Sequence, residues 1–212
     1  MKLNLANRLT LLRLALVFPF LTFTVNDILW TRVAALILFI IASLTDLWDG
    51  KIARQRGEVT TLGIFLDPLA DKFLISAAFI AFVQIEEINV PAWMVVLIIG
   101  REFLITGLRA LAASAGRVLP AQPAGKFKTT SQIVAIITIL VILTFNSALE
   151  RFGGMQSIRL IGLDDPLQTL GWILRGAPYW LTFITTCLTI ISGYIYIRAN
   201  LDLFDGDQPK RT

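Results

Sequence analysis

Long runs of apolar residues recur along the whole chain, and they limit its fold more than any other feature. Of the 212 residues, 56% are apolar and 16% are charged, whereas soluble domains usually have about 45–50% and about 25%. Runs of at least about 18 apolar residues are typical of transmembrane helices. We therefore predict an all-α, polytopic membrane protein that forms one domain over residues 1–212.

The apolar runs predict six membrane-spanning helices. The expected spans are Leu9–Val25, Val33–Leu47, Pro68–Ile85, Pro91–Leu111, Thr129–Phe145 and Tyr179–Ala199. Pro68 is placed at a helix start, where its missing N–H costs no hydrogen bond. No small-x-small cleavage site follows the first run, so we expect a retained helix rather than a signal peptide. Residues 146–178 are left as one long extracytoplasmic connection.

The distribution of basic residues predicts the orientation, because Lys and Arg are enriched in cytoplasmic segments. All but four of the 19 Lys and Arg residues fall on one side of the predicted spans, and both termini are on that side. We therefore expect both termini in the cytoplasm and the protein in the cell (inner) membrane. The formal net charge of +4 is explained by this topology and by a phosphate-binding pocket that we predict below. It therefore indicates no nucleic-acid partner.

The chain has one cysteine and no histidine. This excludes an intramolecular disulfide, a cysteine-only metal cluster, a His-ligated metal, and Ser-His-Asp or Cys-His catalysis. An enzyme of this composition has to use carboxylates, lysines and arginines for its chemistry.

Four aspartates at the ends of the second and third predicted spans are the strongest candidates for a functional site: Asp46, Asp49, Asp67 and Asp71. Spacings of three and four residues put each pair on one helix face. A turn containing Gly57 and Gly63 separates the pairs, so adjacent helices can bring all four together. Their repulsion requires a compensating cation. Because all-oxygen ligands suit Mg²⁺ or Mn²⁺, we predict two such ions, which can hold a diphosphate.

Small residues accompany these aspartates. Gly50, Ala53 and Gly63 leave room for close helix approach or for a flat ligand near the backbone. Taken singly, Asp67 before Pro68 could be only a helix N-cap, and Gly50 only a packing contact. Four aspartates at regular spacing, together with two glycines and an arginine, favour a functional site.

The complete pattern of residues 46–71, Asp-x2-Asp-Gly-x2-Ala-Arg-x8-Gly-x3-Asp-x3-Asp, resembles the signature of the CDP-alcohol phosphotransferases. Members of that family are six-helix membrane enzymes, usually homodimers, that displace CMP from a CDP-linked alcohol with divalent metal. The resemblance implies that Asp46, Asp49 and Asp67 ligate metal, and that Asp71 ligates the second ion and acts as general base. It also implies that the nucleotide is bound by Asp46, Gly50, Ala53, Arg54 and Gly63.

Basic residues in the fourth and fifth spans predict an anionic acceptor. Arg101 and Arg109 are eight residues apart, hence roughly on one helix face. An arginine at membrane depth is typical of a functional site. With Lys126 and Lys128 they are expected to form a pocket for a phosphate. The alternative is that Arg101 pairs with Glu102 or a nearby aspartate and that the lysines are interfacial.

The stretches 100–109 and 125–130 resemble the bacterial family members that use glycerol 3-phosphate as acceptor. The implied reaction transfers the phosphatidyl group from CDP-diacylglycerol to glycerol 3-phosphate at the cytoplasmic face of the lipid bilayer. Its products are phosphatidylglycerophosphate and CMP. Relatives that make cardiolipin, or that use inositol phosphate or serine, stay open as alternatives. A divalent-cation transporter is a further alternative, but it would place its carboxylates near the bilayer midplane.

Overall fold

The computed structural model of the protein describes residues 5–56, 61–114, 116–117, 119, 123–154 and 166–201. These residues form six long helices: α1 (Leu5–Val25), α2 (Leu29–Arg56), α3 (Thr61–Gln84), α4 (Ala92–Ser114), α5 (Pro123–Gly153) and α6 (Pro166–Arg198). A short 3₁₀ turn, Glu86–Ile88, lies between α3 and α4. The described residues contain no strand, so the predicted all-α class is confirmed for them.

The helices extend beyond the apolar runs that predict them. α3 begins at Thr61 and not at Pro68, so the prediction of a helix start at Pro68 is wrong. A proline inside a helix removes a single backbone donor, and the remaining hydrogen bonds keep the helix continuous. Pro19 in α1 and Pro178 in α6 are accommodated in the same way.

The connection predicted over residues 146–178 is largely helical. α5 continues to Gly153 and α6 begins at Pro166, so only residues 154–165 lie between these helices. Proline suits the first position of a helix, because the N–H that it lacks would have no partner there. The helices are longer than the apolar runs for a physical reason. A helix continues as long as its backbone hydrogen bonds form, and many polar residues permit these bonds as readily as apolar residues do.

The core is built where α1 packs against both α2 and α3, and where α5 packs against both α2 and α6. Phe20 and Phe39 join α1 to α2, with their ring centroids 5.8 Å apart. Phe79 and Phe82 of α3 are fully buried in the same core. Large aromatic side chains in contact across helices supply much of the packing of such a core.

One end of the bundle is held by Arg32, whose side chain is 2% exposed. Its guanidinium donates to Asp27 at 2.7 Å, to Glu87 at 2.9 Å and to the Ser147 hydroxyl at 2.9 Å. The start of α2, the turn after α3 and the end of α5 therefore lie together. This arrangement requires consecutive helices from α1 to α5 to run in opposite directions.

The opposite end of the bundle joins the other helix termini. Lys72 in the middle of α3 donates to the hydroxyl of Thr106 in the second half of α4. Lys128 near the start of α5 pairs with Glu102 of α4. The ends of α2 and α4 therefore share one end of the bundle with the starts of α3 and α5.

The last helix has a polar buried face and an apolar exposed face. Its buried positions carry hydroxyl groups: Thr182, Thr185, Thr186, Thr189 and Ser192. Its exposed positions carry large apolar side chains: Trp180, Ile184, Ile190, Ile191 and Ile195. Among the described residues, the segments Gly125–Gly153 and Thr169–Arg198 are long and apolar enough to cross a membrane. An exposed apolar face of this size suits a lipid environment and not water.

Loss of the Arg32 side chain is expected to destabilise the fold. Arg32→Leu removes charge-assisted hydrogen bonds to three segments, a loss of about 2–3 kcal/mol in the free energy of unfolding. In detergent, the midpoint of thermal unfolding followed by tryptophan fluorescence should fall by about 5–10 °C. Asp27→Asn is the matched control and should leave the midpoint nearly unchanged. The Asp27 side chain is 74% exposed, and an exposed ion pair contributes little to stability. A midpoint unchanged in Arg32→Leu would contradict this role.

Candidate active site

The four signature aspartates lie on α2 and α3 at one level of the bundle. Asp49 and Asp46 are seven and ten residues before the end of α2, and Asp67 and Asp71 are six and ten residues after the start of α3. At about 1.5 Å per residue, all four are about 10–15 Å from the connection between these antiparallel helices. Each pair shares a helix face by its spacing. The backbone therefore permits the predicted grouping of four carboxylates.

Two expectations about these positions change. Asp67 lies in the interior of α3, six residues after its first residue, so an N-cap role is excluded. Gly63 is the third residue of α3 and not part of a turn. Both differences follow from the early start of α3.

The side chains of the signature residues lie outside the described part of the structure: Asp46, Asp49, Gly50, Ala53, Arg54, Gly63, Asp67 and Asp71. Their roles as metal ligands, nucleotide contacts and general base stay predictions. Among the side chains that are described, no group of three or more Asp, Glu or Cys residues could hold a metal ion.

The register of α4 places two arginines on the helix face that packs against the bundle, and Arg101 is the more buried of the two. The buried residues Ile98, Ile105 and Ala112 mark its inner face. Arg101 follows Ile98 by three residues and Arg109 follows Ile105 by four, so both arginines lie on that face. Only 12% of the Arg101 side chain is exposed.

Three cations from three helices meet beside Glu102 of α4. Arg101 donates to Glu102 at 3.3 Å, and Lys128 of α5 contacts the same carboxylate oxygen. Lys72 of α3 contacts Thr106, one turn further along α4. With Glu102, the two lysines line a cavity of about 20 Å³, room for one water molecule. We call this group the cation cluster (Lys72, Arg101, Glu102 and Lys128).

The cation cluster differs from the predicted phosphate pocket. The pairing of Arg101 with Glu102, given above as the alternative, is present in the structure. Lys128 is 4% exposed and therefore buried rather than interfacial. Lys72 is an addition to the predicted residues, and its place directly after Asp71 is the sequence signal for it. Through Lys72, the cluster is adjacent to the signature.

Arg109 and Lys126 lie apart from the cation cluster. The Nε of Arg109 donates to the Tyr196 hydroxyl at 3.1 Å, and its guanidinium lies 5.3 Å from the centre of the Tyr196 ring. Lys126 is exposed, and on a helix it points about 200° away from Lys128. Helix geometry thus separates Lys126 from the other cations, and its part in acceptor binding stays a prediction.

An apolar groove of about 720 Å³ runs between α1, α3 and α4. Val17, Phe18, Phe73 and Phe103 are among its lining residues, and Lys72 also borders it. An apolar space therefore reaches the cation cluster.

The family model of the CDP-alcohol phosphatidyltransferases matches residues 3–182 of the chain. The chain belongs to this family. The resemblance drawn from residues 46–71 is thereby confirmed, and the protein is a transferase by family. Membership in the CDP-alcohol phosphatidyltransferases also decides against the divalent-cation transporter. The match ends before the last turns of α6.

Three relatives within this family illustrate how far the similarity extends. The CDP-diacylglycerol–glycerol-3-phosphate 3-phosphatidyltransferase of Rickettsia bellii is 35% identical over 198 residues, which cover 92% of this chain and 94% of the relative. The Bacillus subtilis protein of the same name is 46% identical over 150 residues, 65% of this chain and 77% of the relative. The probable phosphatidylglycerophosphate synthase of Mycobacterium tuberculosis is 43% identical over 185 residues, 86% of this chain and 78% of the relative.

Proposed function

We propose that this CDP-alcohol phosphatidyltransferase moves the phosphatidyl group of CDP-diacylglycerol to glycerol 3-phosphate and releases CMP. The observation that carries the proposal is the buried cation cluster next to the signature. The cluster brings Lys72, Arg101 and Lys128 together from three helices, and arginine and lysine side chains are common ligands of a phosphate. The names of the three relatives support the same reaction.

The donor set of the signature fits hard divalent cations. Asp46, Asp49, Asp67 and Asp71 offer only carboxylate oxygens, which Mg²⁺ and Mn²⁺ prefer. We assign two ions to these four residues, with Asp71 on the second ion. When bound, the ions neutralise the diphosphate of the donor and stabilise the charge that develops on the leaving CMP. Asp46, Gly50, Ala53, Arg54 and Gly63 are assigned to the nucleotide by their match to the signature.

The residues of the chain divide the remaining work. Arg101 and Lys128 hold the acceptor phosphate. To do so, Lys128 releases Glu102 and contacts the phosphate instead. Arg109 and Lys126 are assigned to acceptor binding as well, from the sequence prediction. Asp71 accepts the proton of the acceptor hydroxyl while the hydroxyl oxygen forms a bond to the β-phosphorus of CDP-diacylglycerol. The bond from that phosphorus to the bridging oxygen breaks, and CMP leaves. Positioning of the two substrates lowers the barrier by removing the need for a chance encounter.

A membrane location follows from several observations together. The exposed apolar face of α6, the two helical segments long enough to span a bilayer and the antiparallel order of the helices support a multi-pass protein. We propose six spans, both termini and the active site at the cytoplasmic face of the inner membrane, and a homodimer as in the family. The apolar groove beside Lys72 supports a lipid donor, since it lets an acyl chain stay in apolar surroundings.

The proposed acceptor can be tested by CMP release. Purified protein in mixed micelles with CDP-diacylglycerol and Mg²⁺ is expected to release CMP with glycerol 3-phosphate. Serine and phosphatidylglycerol are expected to give at most about a hundredth of that rate, because neither has a phosphate monoester for the cation cluster to bind. Inositol phosphate has the monoester but offers only ring hydroxyls, so its attacking hydroxyl is placed differently and we expect a slower reaction than with glycerol 3-phosphate. Lipid product identified by mass spectrometry completes the assay. Equal or faster turnover with another acceptor would replace glycerol 3-phosphate in the proposal.

A further inference from the structure

We infer that the last turns of α6 position the acceptor-binding arginines of α4, through Ser192, Gly193 and Tyr196. This inference rests on the function proposed above. The three residues lie beyond residue 182, where the match to the family model ends. Their spacing of one, three and four residues puts them on one helix face, and all three are buried.

Because of Ser192, the two terminal nitrogens of the Arg101 guanidinium have different partners. Nη2 of Arg101 donates to the Ser192 hydroxyl at 2.8 Å, while Nη1 donates to Glu102 at 3.3 Å. An arginine beside a carboxylate commonly forms two parallel hydrogen bonds to it, and both Nη atoms are then occupied. Ser192 prevents this bidentate pairing because it draws Nη2 toward α6. The guanidinium is thereby kept in an orientation in which it is not fully neutralised by Glu102.

Gly193 provides the space through which the Arg101 side chain passes. A Cβ atom at this position would lie 3.0 Å from Cγ and 3.6 Å from Nε of Arg101. Cγ lies near the base of the side chain, so the arginine would have to shift by a few tenths of an ångström, and its guanidinium would move with it. The Nε of Arg101 is buried and has no hydrogen-bond partner among the described residues. A buried donor without a partner is costly, and an acceptor anion would satisfy it.

Tyr196 holds the second arginine in two ways. Its hydroxyl accepts from Nε of Arg109 at 3.1 Å, and its ring lies 5.3 Å from the guanidinium carbon. Hydrogen bond and cation–π contact together restrict the side chain, although Arg109 itself is exposed. The two arginines are thus oriented by one face of a helix that lies about 90 residues away in sequence.

The test compares steady-state kinetics of five α6 variants with the wild-type protein: Ser192→Ala, Ser192→Thr, Gly193→Ala, Tyr196→Phe and Tyr196→Leu. Ser192→Ala and Gly193→Ala are expected to raise the KM for glycerol 3-phosphate about 10-fold, the scale of one charge-assisted hydrogen bond. The kcat and the KM for CDP-diacylglycerol should stay within about twofold, because the chemistry and the donor site are untouched. Tyr196→Phe, which keeps the ring, should have a smaller effect than Tyr196→Leu. Ser192→Thr keeps a hydroxyl and should restore most of the loss.

Two controls separate positioning from general damage to the helix. Thr186→Val removes a buried hydroxyl of the same helix that donates to the backbone of Thr182, and it should leave every kinetic constant unchanged. Arg101→Ala and Arg109→Ala are expected to raise the KM for glycerol 3-phosphate about 10- to 100-fold. The double variant Ser192→Ala/Arg101→Ala should match Arg101→Ala alone, because Ser192 acts through that arginine.

The outcomes distinguish the two proposals. If the wild-type protein does not use glycerol 3-phosphate, or if Arg101→Ala and Arg109→Ala both keep its KM, the proposed acceptor site fails and this inference fails with it. If these arginine variants behave as expected but Ser192→Ala and Tyr196→Phe both keep the wild-type KM, only the positioning role is overturned. Additive effects of Ser192→Ala and Arg101→Ala would overturn it as well. Tyr196→Phe removes a single oxygen atom, so it provides a test even if Gly193→Ala does not fold.

Discussion

Asp71→Asn is expected to lower the kcat for CMP release by at least about 100-fold, the usual scale for loss of a general base. An amide cannot accept the proton of the acceptor hydroxyl. Because asparagine has nearly the same size and shape as aspartate, the substitution should leave the helix unchanged. Binding of CDP-diacylglycerol should remain largely intact, because three other aspartates are assigned to the ions that hold it. Single-turnover rates and donor binding should be measured on the same preparation.

Asp27→Asn is the matched control for this substitution. Asp27 pairs with Arg32 at the other end of the bundle, so the same change of side chain there should leave kcat unchanged. If Asp71→Asn loses donor binding in proportion to its rate, Asp71 is chiefly a metal ligand and not the base. If its kcat is unchanged, both roles are wrong.

Removal of divalent metal is expected to abolish turnover completely. The chain has no histidine, and the four signature aspartates are the residues to which we assign two hard cations. A diphosphate near four carboxylates is strongly repelled unless cations compensate the charge. CMP release should therefore cease in buffer with excess EDTA and return when Mg²⁺ or Mn²⁺ is added in excess of the chelator.

The metal requirement can be separated from loss of structure. Thermal unfolding followed by tryptophan fluorescence should show a folded protein in EDTA, because the buried core of the described residues is apolar and the contacts of Arg32 lie at the other end of the bundle. Asp49→Asn should raise the Mg²⁺ concentration needed for half-maximal activity, whereas Arg32→Leu should not. Full turnover in rigorously chelated buffer would contradict the two-metal assignment.

The signature is the part of the site that could be predicted from sequence alone. Its residues are close in the chain, and helix periodicity is enough to put Asp46 with Asp49, and Asp67 with Asp71, on shared faces. The structure agrees at the level of the backbone, since all four lie inside α2 and α3. The helix ends were harder to predict. Hydropathy marks where a helix is apolar, whereas α3 begins seven residues before the apolar run because backbone hydrogen bonds continue through polar residues.

The acceptor side shows where sequence reasoning stops. The sequence predicts Arg101 as a pocket residue from its charge and depth and Lys128 from its charge, and the structure brings them together through Glu102. Lys126 has the same charge and lies two residues away, yet it is exposed. Lys72 was not predicted, because charge alone does not show which cation faces a neighbouring helix.

The sequence by itself determined the class of the protein: its apolar runs predict helices for a membrane, and the spacing of residues 46–71 identifies the family. Both are local patterns, because they depend only on residues that are close in the chain and on the period of a helix. Only the tertiary structure decided which side chains of distant helices meet. Ser192 and Tyr196 lie 91 and 87 residues from the arginines that they contact. No helical period spans such a separation, because the contact depends on how α4 and α6 pack and not on the sequence of either helix alone.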